Sequence, residues 1–122
     1  MAELRIGLIG AGNIGLYLAP LIREAGEVKL VAAADVSEEA RGRALAQAGF
    51  ERAYAKYEDM LSRERLDGVI VATPHHLLRA PCLAAIAAGC QVFVEKPMAL
   101  NQREGVEVVA AAQARGTKLM VG

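Results

Sequence analysis

Gly10-Ala11-Gly12-Asn13-Ile14-Gly15 stands between an apolar run, Leu4 to Ile9, and a segment of helical character. At this spacing each glycine has its own task. Gly10 permits a tight turn, Gly12 lets the backbone approach a pyrophosphate, and Gly15 lets the helix pack closely on the strand. The helix start at Asn13 and Ile14 offers unpaired N–H groups and the positive end of a dipole to an anion. The chemistry this predicts is binding of a dinucleotide. A glycine-rich stretch that is only a turn is the plain alternative, and the order strand, turn, helix weighs against it.

Asp35 follows the second apolar run, 20 residues beyond Gly15. A carboxylate there accepts hydrogen bonds from the adenosine ribose and repels a 2′-phosphate, which favours NAD over NADP. The plainer reading makes Asp35 a turn residue before a helix, but Ser37 already suits that capping role. Arg41 and Arg43 leave NADP open, because a nearby guanidinium can accommodate the extra phosphate.

Two further loops leave apolar runs on the same side. Ala72-Thr73-Pro74-His75-His76 is expected to line the cofactor crevice with Thr73 and Pro74. The adjacent histidines suggest a metal, yet neighbouring residues rarely point at one ion and no cysteine or second histidine cluster completes a shell, so a solvated loop is preferred. Glu95-Lys96-Pro97 ends the fifth run. A lysine beside a hydride-transfer site can hold a hydroxyl and help move its proton; by position alone a solvent-facing turn lysine fits equally well.

These residues need strands that end at one edge of a sheet. The strand candidates are Leu4 to Ile9, Val28 to Ala34, Val69 to Ala72, Val92 to Glu95 and Lys118 to Val121, with a weaker one near Ala53 and Tyr54. The runs are near-continuous, as in strands buried on both faces of a parallel sheet. Between them Ser37 can cap a helix opening with Glu38, and Asn101 with Glu104 has capping-box spacing. Gly26, Gly49, Gly89 and Gly116 sit where left-handed residues end helices. Pro20 predicts a kink inside the first helix, and Pro81 a first-turn position in the fourth. The alternation predicts an open, doubly wound α/β sheet of the Rossmann kind, with residues 1–122 as one dinucleotide-binding domain.

Composition agrees with a small-ligand binder. Hydrophobic residues make up 54% of the 122, enough for a core. Fourteen basic residues balance fourteen acidic ones, so no net field draws nucleic acid or an anionic membrane. No apolar run is long enough to span a bilayer and the first residues lack a signal-peptide pattern, so the expected setting is cytoplasmic. Cys82 and Cys90 are too few for a disulfide framework and read as buried thiols. The 24 alanines against 5 aromatics favour helices packed closely on a sheet.

The chain resembles the N-terminal half of the glucose-fructose oxidoreductase and inositol dehydrogenase family, also written Gfo/Idh/MocA. The likeness is carried by the glycine turn, Asp35, Ala72-Thr73-Pro74, Ala87-Ala88-Gly89 before a strand, Glu95-Lys96-Pro97, and the closing Gly116 to Gly122. It implies that Lys96 lies beside nicotinamide and substrate and that its bond to Pro97 is often cis. Two positions depart from the family: His75 stands where Asn is common, and Leu78 where a His is common, so the resemblance carries over no contact for either. Family members also carry a second domain that holds most substrate contacts and the dimer surface, and none of it is seen here.

The leading expectation is therefore an NAD-binding domain whose relatives oxidise a sugar, inositol or related polyol, with Lys96 as its catalytic residue. Such a domain alone binds cofactor without turnover, and its uncovered apolar surface is a place for self-association. A free-standing dinucleotide sensor or subunit is the alternative; a methyltransferase using S-adenosylmethionine is a third reading, against which Glu95-Lys96-Pro97 argues.

Overall fold

The five strong apolar runs and the weak one become strands in the computed structural model, which describes residues 3–96, 99 and 101–122. In chain order the elements are β1 (Leu4–Ile9), α1 (Asn13–Glu24), β2 (Val28–Ala34), α2 (Glu38–Arg43), β3 (Arg52–Tyr54) and α3 (Tyr57–Arg63), then β4 (Gly68–Val71), α4 (Arg79–Ala87), β5 (Gln91–Val94), α5 (Gln102–Arg115) and β6 (Leu119–Val121). Among the described residues the strands form one parallel sheet in the order β3-β2-β1-β4-β5-β6. The chain builds outward from β1 to one edge, then returns to build from β4 to the other. This is the doubly wound Rossmann order, and its switch point lies between the carboxyl ends of β1 and β4.

Helices lie on both faces of the central strands, which explains why those strands read as unbroken apolar runs, while Met120 and Val121 of β6 stay exposed. Leu8, Leu30, Ala33 and Ile70 pack on one side with Ala19 of α1 and Ala40 of α2. Ile9, Val31, Val69 and Val71 pack on the other with Met60, Cys82, Ala85, Ile86 and Val108 of α3, α4 and α5. Alanine at the helix contacts lets these helices lie close to the strands. The β1–β2 register slips between Ile6 and Gly7, where Val31 is the extra residue; Gly7 has no side chain to place against Leu66 and Met60 there.

Helix punctuation is mostly as expected. The Ser37 hydroxyl accepts from Ala40 N–H at 3.2 Å, and Asn101 Oδ1 accepts from Glu104 N–H at 3.0 Å. Pro81 occupies the first turn of α4, and α1 runs through Pro20 as one helix. Gly49, Gly89 and Gly116 have φ near +84°, +85° and +66°. Gly26 does not: α1 ends at Ala25 in a right-handed conformation, and Val28 N–H turns back to the Gly26 carbonyl at 3.0 Å. The short link to β2 is closed by that turn, with no left-handed residue. A π-helical turn at Ala44–Ala48 continues α2 and was not expected. It keeps both Ala44 and Ala48 buried before Gly49.

One polar knot ties the β3 edge to the end of α3. The Glu64 carboxylate, only 6% exposed, accepts from Arg52 at 2.5 and 2.9 Å and from the Tyr54 hydroxyl at 2.6 Å. Arg52's hydrogen bond, helped by that of Tyr54, holds the Glu64 carboxyl below its ordinary range although burial opposes the shift.

Candidate functional site

The glycine turn joins the end of β1 to α1 at the switch point. Gly10 has φ near +94°, and a Cβ there would meet the Ala72 carbonyl at 2.8 Å and Thr73 N at 2.9 Å. Only a glycine lets β1 turn while the loop after β4 passes this close. Gly12 caps α1 in extended conformation, and a Cβ there would meet nothing within 4 Å. Gly15 is buried, with the Gly10 carbonyl oxygen 2.3 Å from where its Cβ would stand. Two of the glycines are thus required by the protein's own packing. Among the described residues nothing approaches the place of a Gly12 Cβ, so this side of the turn stands open at the head of α1. Asn13 and Ile14, exposed in the first turn, present N–H groups that have no carbonyl of their own helix to reach.

Asp35 lies directly beyond β2, beside this turn. Its Oδ2 accepts from Ala11 N–H at 2.8 Å and its Oδ1 from Ser37 N–H at 2.8 Å. The turn role and the crevice position expected of Asp35 therefore coexist, and each oxygen keeps lone-pair capacity for another donor. Arg41 Nη1 donates to the Asp35 and Val36 carbonyls at 2.9 and 3.1 Å. Arg43 turns instead to Glu39, 3.0 Å away on the same helix.

The other two loops reach the same edge. The Thr73 hydroxyl donates to the Leu77 carbonyl at 2.9 Å, closing a single 3-10 turn at His75–Leu77, and Pro74 is exposed before it. His76 is exposed, and among the described residues no three His, Cys, Asp or Glu side chains gather as a metal site would need. Glu95 is half-buried, its N–H donating to the Val71 carbonyl at 3.1 Å, and Lys96 is exposed beyond it. Pro97, and with it the isomer of the Lys96–Pro97 bond, lies outside the described residues. Sequence reasoning missed Ala11 and Tyr54, whose parts are played by a backbone N–H and a backbone carbonyl that carry no side-chain signal.

A groove of about 460 Å³ lies elsewhere, over β4, β5 and β6 beside α1, among Leu21, Ile22, Ile70, Phe93 and Met120. Its lining includes Gly68, Gln91 and Lys118 at the strand starts and none of the glycine turn, Asp35 or Thr73. No described helix is long and apolar enough to cross a membrane.

The sequence profile of an oxidoreductase family with an NAD-binding Rossmann fold matches residues 4–122. The chain belongs to this family, Gfo/Idh/MocA. It is 30% identical over 122 residues to 2,7-anhydro-N-acetylneuraminate hydratase of Mediterraneibacter gnavus, covering 100% of this chain and 32% of that protein. It is 33% identical over 119 residues to inositol 2-dehydrogenase 1 of Saccharopolyspora erythraea, covering 95% of this chain and 35% of that one. Among solved structures it superposes on the WlbA dehydrogenase from Bordetella pertussis, in complex with NADH and UDP-GlcNAcA, with a TM-score of 0.91 and 30% identity; the match covers 98% of this chain and 37% of the other. The chain spans about a third of the length of these relatives. Its fold is that of the family's NAD-binding domain.

Proposed function

We propose that this chain holds NAD for a dehydrogenase that moves hydride between nicotinamide and a sugar, inositol or related polyol. Gly12 carries the reading: a glycine the packing does not need, at the head of α1, open on the side where a pyrophosphate would lie. The turn Gly10, Gly12, Asn13, Ile14 and Gly15 shapes the phosphate site: Gly10 and Gly15 set its backbone, Gly12 leaves the space, and the first-turn N–H groups of Asn13 and Ile14 meet the phosphates. Asp35 accepts from the adenosine ribose, and its charge repels a 2′-phosphate. Thr73 and Pro74 bound the crevice beside Gly10, and Glu95 bounds it at β5. Bound NAD supplies the hydride acceptor; the protein supplies position and electrostatics. Lys96 holds and orients the substrate hydroxyl by its ammonium group, as the catalytic residue of this chain, and the proton released with the hydride passes to a base among the substrate contacts of the whole protein. The polyol class rests on the inositol dehydrogenase among the relatives, and the substrate contacts belong to a further part of the whole protein.

Fluorescence titration with NADH and NADPH tests the cofactor reading. The expected result is saturable binding of NADH, tighter than NADPH by about tenfold or more, the scale of one hydrogen bond to a charged group. Equal affinities would overturn the role given to Asp35, and no binding of either would overturn the function.

A further inference from the structure

Every polar group of Asp35 is committed to a different piece of the site. Its N–H donates to the Tyr54 carbonyl at 3.0 Å, which fixes it to the end of β3. Its carbonyl accepts from Arg41 at 2.9 Å and its Oδ1 from Ser37 N–H at 2.8 Å, which fix it to α2 and the turn before it. Its Oδ2 reaches across to Ala11 N–H at 2.8 Å, inside the glycine turn. Ala11 is fully buried in the folded chain, and this carboxylate is the acceptor that its N–H meets. The only neighbouring tie from the turn to this strand end is Gly10 N–H to the Ala34 carbonyl at 2.9 Å, among the described residues.

We infer that Asp35 is a positioning residue for the phosphate-binding turn, acting through the Ala11 amide, besides meeting the ribose. The inference rests on the proposed cofactor reading and deepens it. Recognition of the ribose and of the pyrophosphate is then coupled through one carboxylate. A carboxylate that only repels a 2′-phosphate could be removed to admit NADPH. A carboxylate that also sets the turn cannot, because its loss leaves a buried N–H without a partner and lets the turn drift from the shape both dinucleotides need. Asparagine is no substitute: it has one acceptor oxygen for two N–H donors that approach different oxygens, so either Ala11 or Ser37 faces an amide NH2.

The test uses Asp35→Asn and Asp35→Ala with two readouts. Amide hydrogen exchange and the ¹⁵N–¹H resonance of Ala11 are followed without cofactor, and NADH and NADPH are titrated separately. The expected result is that Ala11 protection falls by about tenfold or more in Asp35→Ala and to a lesser degree in Asp35→Asn, while affinity for both cofactors drops. An Ala11 amide unchanged in both variants, or a gain of NADPH affinity in Asp35→Ala, overturns the inference and leaves the ribose role standing. Because the amide is read without cofactor, failure of the wild type to bind NADH is a separate result. Should Asp35→Ala not fold, Asp35→Ser, whose hydroxyl is too short to reach Ala11, takes its place with the same expected and overturning results.

Discussion

A Cβ on Gly15 would stand 2.3 Å from the Gly10 carbonyl oxygen and 3.0 Å from a Leu8 methyl carbon. The first contact is backbone, which cannot swing aside, so any side chain pushes α1 off β1. Gly15→Ala is therefore expected to lose about 1–3 kcal/mol of stability, the usual cost of overpacking, despite alanine's better helix propensity. Urea unfolding measures it; a variant as stable as wild type would show that α1 can lift without cost.

Gly12→Val separates binding from folding. The position is extended and open, so the isolated domain should keep its circular dichroism and lose less than about 0.5 kcal/mol, as at other surface sites. NADH binding should be lost, because the branched side chain occupies the phosphate cradle. Retained binding would reduce the glycine pattern to a turn. The two glycines, three residues apart, thus fail in opposite ways.

Much of this contrast is legible in the sequence. Continuous apolar runs announce strands covered on both faces, and the glycine spacing announces a turn feeding a helix, because both patterns are carried by side chains or by their absence. What escapes is carried by the backbone. Ala11 is an ordinary alanine, and nothing in its identity says that its N–H meets Asp35. Gly26 misled for the converse reason: a glycine after a helix can take the left-handed form, but the three-residue link to β2 closes through Val28 N–H instead. The π turn at Ala44–Ala48 has no signature beyond alanine, one leucine and one glutamine.

Glu64 sets an acid limit on the fold. Its carboxyl is held below the ordinary value, first by Arg52 and then by Tyr54, so the charged form belongs to the folded state. The stability it confers is full above the ordinary carboxyl range and is lost as pH falls through the depressed value. Glu64→Gln should cost about 1 kcal/mol near neutrality, discounted because Arg52 is half exposed, and should flatten the fall in stability below about pH 4.5. Denaturant unfolding at pH 7 and at pH 4 checks both; an unchanged acid slope would remove Glu64 as its source.

Cys82 sets an alkaline one. Burial pushes its thiol up to about 12 from an ordinary 9.0, so the unfolded chain ionises first. Its contribution is complete below about pH 9 and declines as pH rises toward the folded value, by about 1.4 kcal/mol for each unit in that window. Cys82→Ala should lower stability at pH 8 but show a shallower decline between pH 8 and 10. Equal slopes in the two proteins would mean that the thiol is reached by water in the folded state.

Lys96 is where position and chemistry part. It stands exposed at the end of β5, beyond the half-buried Glu95. Hydride transfer needs a carbinol carbon held near the nicotinamide, and that alignment contributes about 7 to 11 kcal/mol in well-oriented reactions. An ammonium group on one edge cannot supply it alone, and these 122 residues span about a third of the relatives' length. The chain by itself is thus expected to bind NADH and to form none from NAD with a panel of inositols and sugars, at any attainable protein concentration. Lys96→Ala should alter its NADH affinity by no more than about threefold, well under the tenfold of one good charged hydrogen bond. Placed in a chain that also carries the substrate contacts, the same substitution should depress kcat far more than it raises KM for cofactor. Saturable turnover by the 122 residues, abolished in Lys96→Ala, would instead make this domain a catalyst in its own right.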